Sequence, residues 1–210
     1  MQIPKGGLAI LIALAMGGIG RACAQDAMNK LQPLVETSAR RLAIAQQVAL
    51  AKWDSQVPVE DAAREAQVIT AAVRDGKSRG LDPAFVSHFF TAQIEANKLV
   101  QYSLLANWHR VGKAPAHGPI NLATTIRPEL DQLQRELVRG LADAAAIRTS
   151  PACRADTAKA VGRYLAAHKR DAGLLQEIAL GRAMAAICTS REARNAVSRG
   201  IMFDSRCSRQ

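Results

Sequence analysis

Aromatic residues make up only 4% of this 210-residue chain, and runs of β-branched residues are few. That scarcity weighs against a sheet protein, whose half-buried strands draw on such side chains. No stretch alternates apolar and polar residues with a period of two, and there is no glycine-rich phosphate loop and no internal repeat. The four histidines, at 88, 109, 117 and 168, lack the spacing of zinc ligands and read as surface or core residues. A G-x-S-x-G elbow is absent, and no cysteine has a partner base at a nucleophile's spacing. These absences set aside metal-dependent and covalent mechanisms, and no cofactor is expected.

Long apolar runs are also lacking, apart from one near the N-terminus. Lys5 followed by GGLAILIALAMGGIG is too short for a comfortable transmembrane span and fits a secretory signal. Ala22-Cys23-Ala24 fits an A-x-A cleavage site, so residues 1–24 read as a signal peptide and Gln25 as the mature N-terminus. Acylation of Cys23 is the rival reading, but Gly20-Arg21-Ala22 is a poor lead-in for it. The mature chain is then expected in the periplasm or outside the cell, with no membrane association after cleavage.

In an oxidising compartment Cys153, Cys188 and Cys207 permit one disulfide, in any of three pairings. A Cys153–Cys188 bridge would staple the last two helices and leave Cys207 over. The formal charge of +10 falls to +8 once Lys5 and Arg21 leave with the signal. Those positives are dispersed and not interleaved with aromatics, so nucleic acid is not an expected partner.

What the chain does have is helical periodicity. The apolar fraction is 49%, and alanine is abundant. Apolar residues recur at helical spacing from about Ala27 to Trp53, with Pro33 read as a first-turn proline. Pro58 suits the opening of a second helix reaching about Arg79, with Glu60 and Asp61 in its first turn. Asp82-Pro83 caps a third helix to about Val111, and residues 113–121 form a loop. A fourth helix is expected from Thr124 or Thr125 to Ile147, a fifth from Ser150-Pro151 to Lys169, and a sixth over 174–187. A short segment over 191–198 is a further helix candidate. The expectation is an all-α, single-domain bundle of about six helices over residues 25–189, with residues 190–210 a C-terminal extension of no assigned role.

Arg41 and Lys52 lie 11 residues apart, close to three full helical turns, so both leave one face. Past the Pro58 corner, Asp61, Arg64 and Glu65 share a face of the next helix at i, i+3 and i+4. Asn97 and Gln101 are i, i+4 on the third helix, and Arg127 opens the fourth. Taken singly, each would most often be solvated. Together they are fixed charges and amides on helices, suited to recognising a polyanion or to electrostatic catalysis.

The spacing Arg41–Lys52–Asp61–Arg64–Glu65–Asn97–Gln101 resembles the active-site pattern of the all-helical, type II chorismate mutases. The signal peptide, the KW-x-x-Q-x-P stretch from Lys52, Asp82-Pro83 and the cysteine pair Cys153 and Cys188 resemble the secreted, gamma-type subclass. This resemblance implies the rearrangement of chorismate to prephenate, without a cofactor or metal. It implies that Arg41 binds a substrate carboxylate with Asn97 assisting, that Lys52 approaches both the enolpyruvyl carboxylate and the ether oxygen, and that Gln101 donates a second hydrogen bond to that oxygen. Asp61 and Glu65 would lie near the substrate hydroxyl, and Arg64 would order the site or contact the substrate. Arg127 matches the arginine that secreted members supply from their own chain. Secreted members are commonly homodimers, and many carry Glu where this chain has Gln101. A non-catalytic, mutase-like binding module is the alternative.

Overall fold

A computed structural model describes residues 16–169 and 173–189, with side chains from residue 25 onward. Among the described residues every regular element is helical. The first helix, α1, runs Met16–Ser55, well beyond the Ala27 start expected from periodicity. Pro33 therefore lies inside α1, where it removes a bond to the carbonyl of Asn29 instead of sitting in a first turn. Burial along α1 follows the apolar stripe through Ala27, Leu31, Leu34, Leu42 and Ala45. The helix closes at Gln56, whose φ of 54° is left-handed, and Val57 N–H returns to the Lys52 carbonyl at 3.3 Å.

The second helix, α2, is Ala62–Lys77 and starts later than Pro58. Asp61 is its N-cap: the carboxylate accepts from Arg64 N–H at 3.0 Å, a stronger start signal than the proline. Residues 56–61 instead form an irregular corner in which Val59 is buried. The third helix, α3, is Pro83–Val111, capped by Asp82 as its sequence implies and closed by Gly112 at φ 78°. The loop after it is anchored by Ala114 and Ile120, which pack against the cluster around Trp108 and Leu50.

The chain then makes one π turn, Leu122–Ile126, capped by the Asn121 side chain, and enters α4, Arg127–Asp143. The expected fourth helix thus breaks into three pieces. Pro128 has no N–H to continue the preceding turn. At Ala144 the chain bends into α5, Ala145–Thr149, and the Leu141 carbonyl takes its bond from the buried Arg148 side chain, 2.9 Å away. The last helices, α6 (Cys153–Ala167) and α7 (Leu174–Met184), are each shorter than expected. The expected segment 191–198, Cys207 and the rest of the extension lie outside the described residues, as do residues 1–15 of the expected signal peptide.

α1 is the spine: α3, α4, α6 and α7 all pack along it. The main core gathers Leu34, Val35 and Leu42 of α1, Phe89 and Phe90 of α3, Leu137 and Leu141 of α4, and Leu180 of α7. Fully burying side chains of this kind contributes about 1.5–3 kcal/mol each. α4 approaches α1 closely at Gly140, where an added Cβ would stand 2.8 Å from Leu34 Cδ2. A disulfide joins Cys153, at the start of α6, to Cys188, just past α7. That leaves the other end of the bundle, where α1, α2, α3 and the start of α4 meet, free to form a pocket.

Candidate active site

One pocket is walled by α1, α2, α3 and the π turn leading into α4. All eight residues singled out in the sequence line it: Arg41, Lys52, Asp61, Arg64, Glu65, Asn97, Gln101 and Arg127. Helical repetition along α1 sets Arg41 and Lys52 on the same wall. Capping sets Asp61 at the mouth, and the π turn swings Arg127 to face them.

Arg41 is buried, 6% exposed, between the face of Phe90 and the Leu130 carbonyl, to which Nη1 donates at 3.1 Å. Its Nε has no hydrogen-bond partner among the described residues. Burial lowers its pKa to about 10, with Asp131 pulling it up and Arg64 pushing it down. It remains a cation at neutral pH. A buried guanidinium with an unused donor is a preformed receptor for a carboxylate.

Lys52 is half-buried, and its ammonium donates to the Val59 carbonyl across the corner. Burial lowers its pKa, against the upward pull of Asp61 and Glu65, and Lys98 lowers it further.

Asn97 and Gln101 form a relay. Asn97 Nδ2 donates to the Arg41 backbone carbonyl at 2.9 Å, and Gln101 Nε2 donates to Asn97 Oδ1 at 2.7 Å. The Arg41 carbonyl can only accept, so it sets the orientation of both amides in turn. Gln101 Nε2 keeps a second N–H, and the buried Oε1 is unpartnered among the described residues. Asn97 is thus a strut between α1 and α3, with both polar ends of its amide engaged by protein.

Arg64 pairs with Asp131 of α4 at 3.0 Å, bridging the mouth. The Glu65 carboxylate accepts from Asp61 N–H at 3.4 Å and from Lys98 Nζ at 3.3 Å. Arg127 is exposed at the rim. Counting side chains, the pocket lining holds five cations and three carboxylates, an excess of two positive charges.

Sequence reading passed over Lys98, Asp131 and Gln134, which also line the pocket. Asp131 stands four residues after Arg127 and Gln134 seven after it, so the face they share was visible in the sequence. Lys98 stands three residues before Gln101 and shares its face of α3, but its partners Glu60 and Glu65 come from the 56–61 corner and from α2, which that spacing does not show. No cluster of metal-ligating side chains occurs among the described residues.

A family model described as chorismate mutase type II matches residues 32–102, which include seven of the eight residues named above and exclude Arg127. The chain is 35% identical over 151 residues to the secreted chorismate mutase of Mycolicibacterium smegmatis, spanning 72% of this chain and 82% of that protein. It is 29% identical over 135 residues to the secreted chorismate mutase of Mycobacterium tuberculosis, spanning 64% and 67%. The crystal structure of chorismate mutase from Burkholderia phymatum superposes with a TM-score of 0.73 at 43% identity, over 78% of this chain and 99% of that one. With a relative of that identity and coverage, and a pocket of this composition, the chain belongs to the type II chorismate mutase family.

Proposed function

We propose that this pocket rearranges chorismate to prephenate. The observation that carries the reading is convergence: Arg41, Lys52, Arg64 and Arg127, from three separate stretches of chain, face one cavity with the Gln101 amide between them. The substrate is a dianion, and the lining's excess of two positive charges complements it. The reaction is an intramolecular [3,3] shift, in which the ether C–O bond breaks as a C–C bond forms, with no proton taken up or released overall. The protein has two tasks. It must hold the less populated folded conformer, a positioning effect. It must also stabilise negative charge growing on the ether oxygen.

Arg41 and Arg127 are assigned to the substrate carboxylates, and Lys52 with the second N–H of Gln101 to the ether oxygen. Arg64 orders the mouth through Asp131. Asp61 and Glu65 face the substrate hydroxyl, where their carboxylates are acceptors. Residues 1–24 act as a cleaved export signal. The relatives that bear the name "secreted" support this.

The deciding experiment follows the loss of chorismate's ultraviolet absorbance with purified mature protein. Turnover that saturates with substrate is the expected result. Saturable binding without turnover would establish a binding module instead. Mass spectrometry of the exported protein should give a chain beginning at Gln25.

A further inference from the structure

Lys98 is the one cation of the pocket to which the mechanism above gives no task. It sits on α3 between Asn97 and Gln101, with a side chain 11% exposed. Three carboxylates from three parts of the chain surround its ammonium: Glu95 of its own helix at 2.7 Å, Glu65 of α2 at 3.3 Å and Glu60 of the corner at 3.6 Å. The hydrogen bonds to Glu95 and Glu65 outweigh desolvation and raise its pKa, so it is cationic throughout the working pH range.

Of the three carboxylates, Glu65 alone lines the pocket. Its two oxygens are held separately, Oε1 by Asp61 N–H and Oε2 by Lys98 Nζ. Without the lysine, Glu65 would keep a single long bond at one oxygen, and three like charges would be left facing one another. A glutamate side chain with free rotamers is a poor acceptor for a substrate hydroxyl, because ordering it offsets the bond it makes.

We propose that Lys98 is a positioning residue: it holds the Glu65 carboxylate at the pocket wall as the acceptor for the substrate's hydroxyl group. This rests on the reading given above. Glu65 contacts a part of the substrate that does not react, so the loss belongs in binding and not in the chemical step.

The experiment is a kinetic double-mutant cycle of Lys98→Met and Glu65→Gln, with Lys98→Arg as the conservative variant and a crystal structure of Lys98→Met. Lys98→Met should raise KM on the order of tenfold, the size of one loosened charge-assisted hydrogen bond, with kcat within about twofold. Lys98→Arg should restore most of the KM. In the Glu65→Gln background Lys98→Met should add less than about twofold, because there is no longer a carboxylate to hold. In the crystal Glu65 should leave its place at the pocket wall.

A KM effect of equal size in both backgrounds would mean that Lys98 acts on the substrate directly through its charge, and the proposal falls. A loss in kcat alone would overturn it as well. Glu65 unmoved in the Lys98→Met crystal overturns it whether or not the protein turns over chorismate. Absence of wild-type turnover would refute the mutase reading, while the crystal would still decide what Lys98 does.

Discussion

In the mechanism proposed above Lys52 carries the heaviest chemical demand in the pocket, since its ammonium is assigned to the ether oxygen, where charge develops. Removing one preorganised donor of this kind typically costs about 3–4 kcal/mol in activation free energy. Lys52→Ala is therefore expected to lose roughly a hundredfold to a thousandfold in kcat while its melting temperature stays near wild type. Wild-type turnover in that variant would sink the assignment. The same residue sets an alkaline limit. Its donor form is the cation, and burial displaces its pKa downward from 10.5. Activity, followed as kcat/KM, should therefore fall as pH rises, beginning below the range of an exposed lysine. Gln101 donates without needing a proton, so it adds no pH dependence of its own.

The helices differ in how plainly their sequences announced them. α3 was legible at both ends, because Asp82-Pro83 and Gly112 are local signals that need no tertiary partner. α2 began four residues later than its proline implied, since the Asp61 cap and the burial of Val59 decide the corner together. The breaks around α4 could not be read. The π turn depends on Asn121 capping it, and the bend at Ala144 on Arg148 reaching back to Leu141. Seven of the eight pocket residues were visible because helical spacing puts them on common faces, and Arg127 through the family resemblance. Lys98 shares the face of Gln101, but its part in holding Glu65 depends on which helices meet.

Close helix approach also makes glycines unequal. In Gly140→Ala the gain in helix propensity, about 1 kcal/mol, must overcome a 2.8 Å contact with Leu34, itself 1% exposed. Overpacking of that kind costs about 1–3 kcal/mol, so the melting temperature should drop. Gly162, in α6, has nothing within 4 Å of its would-be Cβ. Gly162→Ala should raise the melting temperature, and thermal denaturation of the two variants side by side tests the contrast. An unchanged or higher value for Gly140→Ala would mean that α1 and α4 can part at little cost.

Stability and catalysis occupy opposite ends of the bundle. The Cys153–Cys188 bridge spans a sequence separation of 35 residues and ties α6 to the end of α7, neither of which lines the pocket. Closing a loop of that length is worth about 4 kcal/mol in the unfolded-chain entropy picture. Reduction, or the double replacement Cys153→Ser and Cys188→Ser, should lower the melting temperature on the order of 10 °C. kcat measured well below the new midpoint should be almost unaltered. A large fall in kcat on reduction would show that the two ends are coupled after all.

Arg127, delivered to the rim by one π turn, has a consequence for how the protein behaves when scarce. All five cations of the pocket come from a single chain. A homodimer, as the family resemblance implies, would hold two complete and independent sites. Specific activity should therefore hold constant on dilution to any concentration at which the chain stays folded. Mixing with an excess of the Lys52→Ala protein should subtract nothing from the wild-type rate. Under the assignment proposed above, an exported protein of this kind would work without meeting a second copy of itself, since those five cations lie on its own chain.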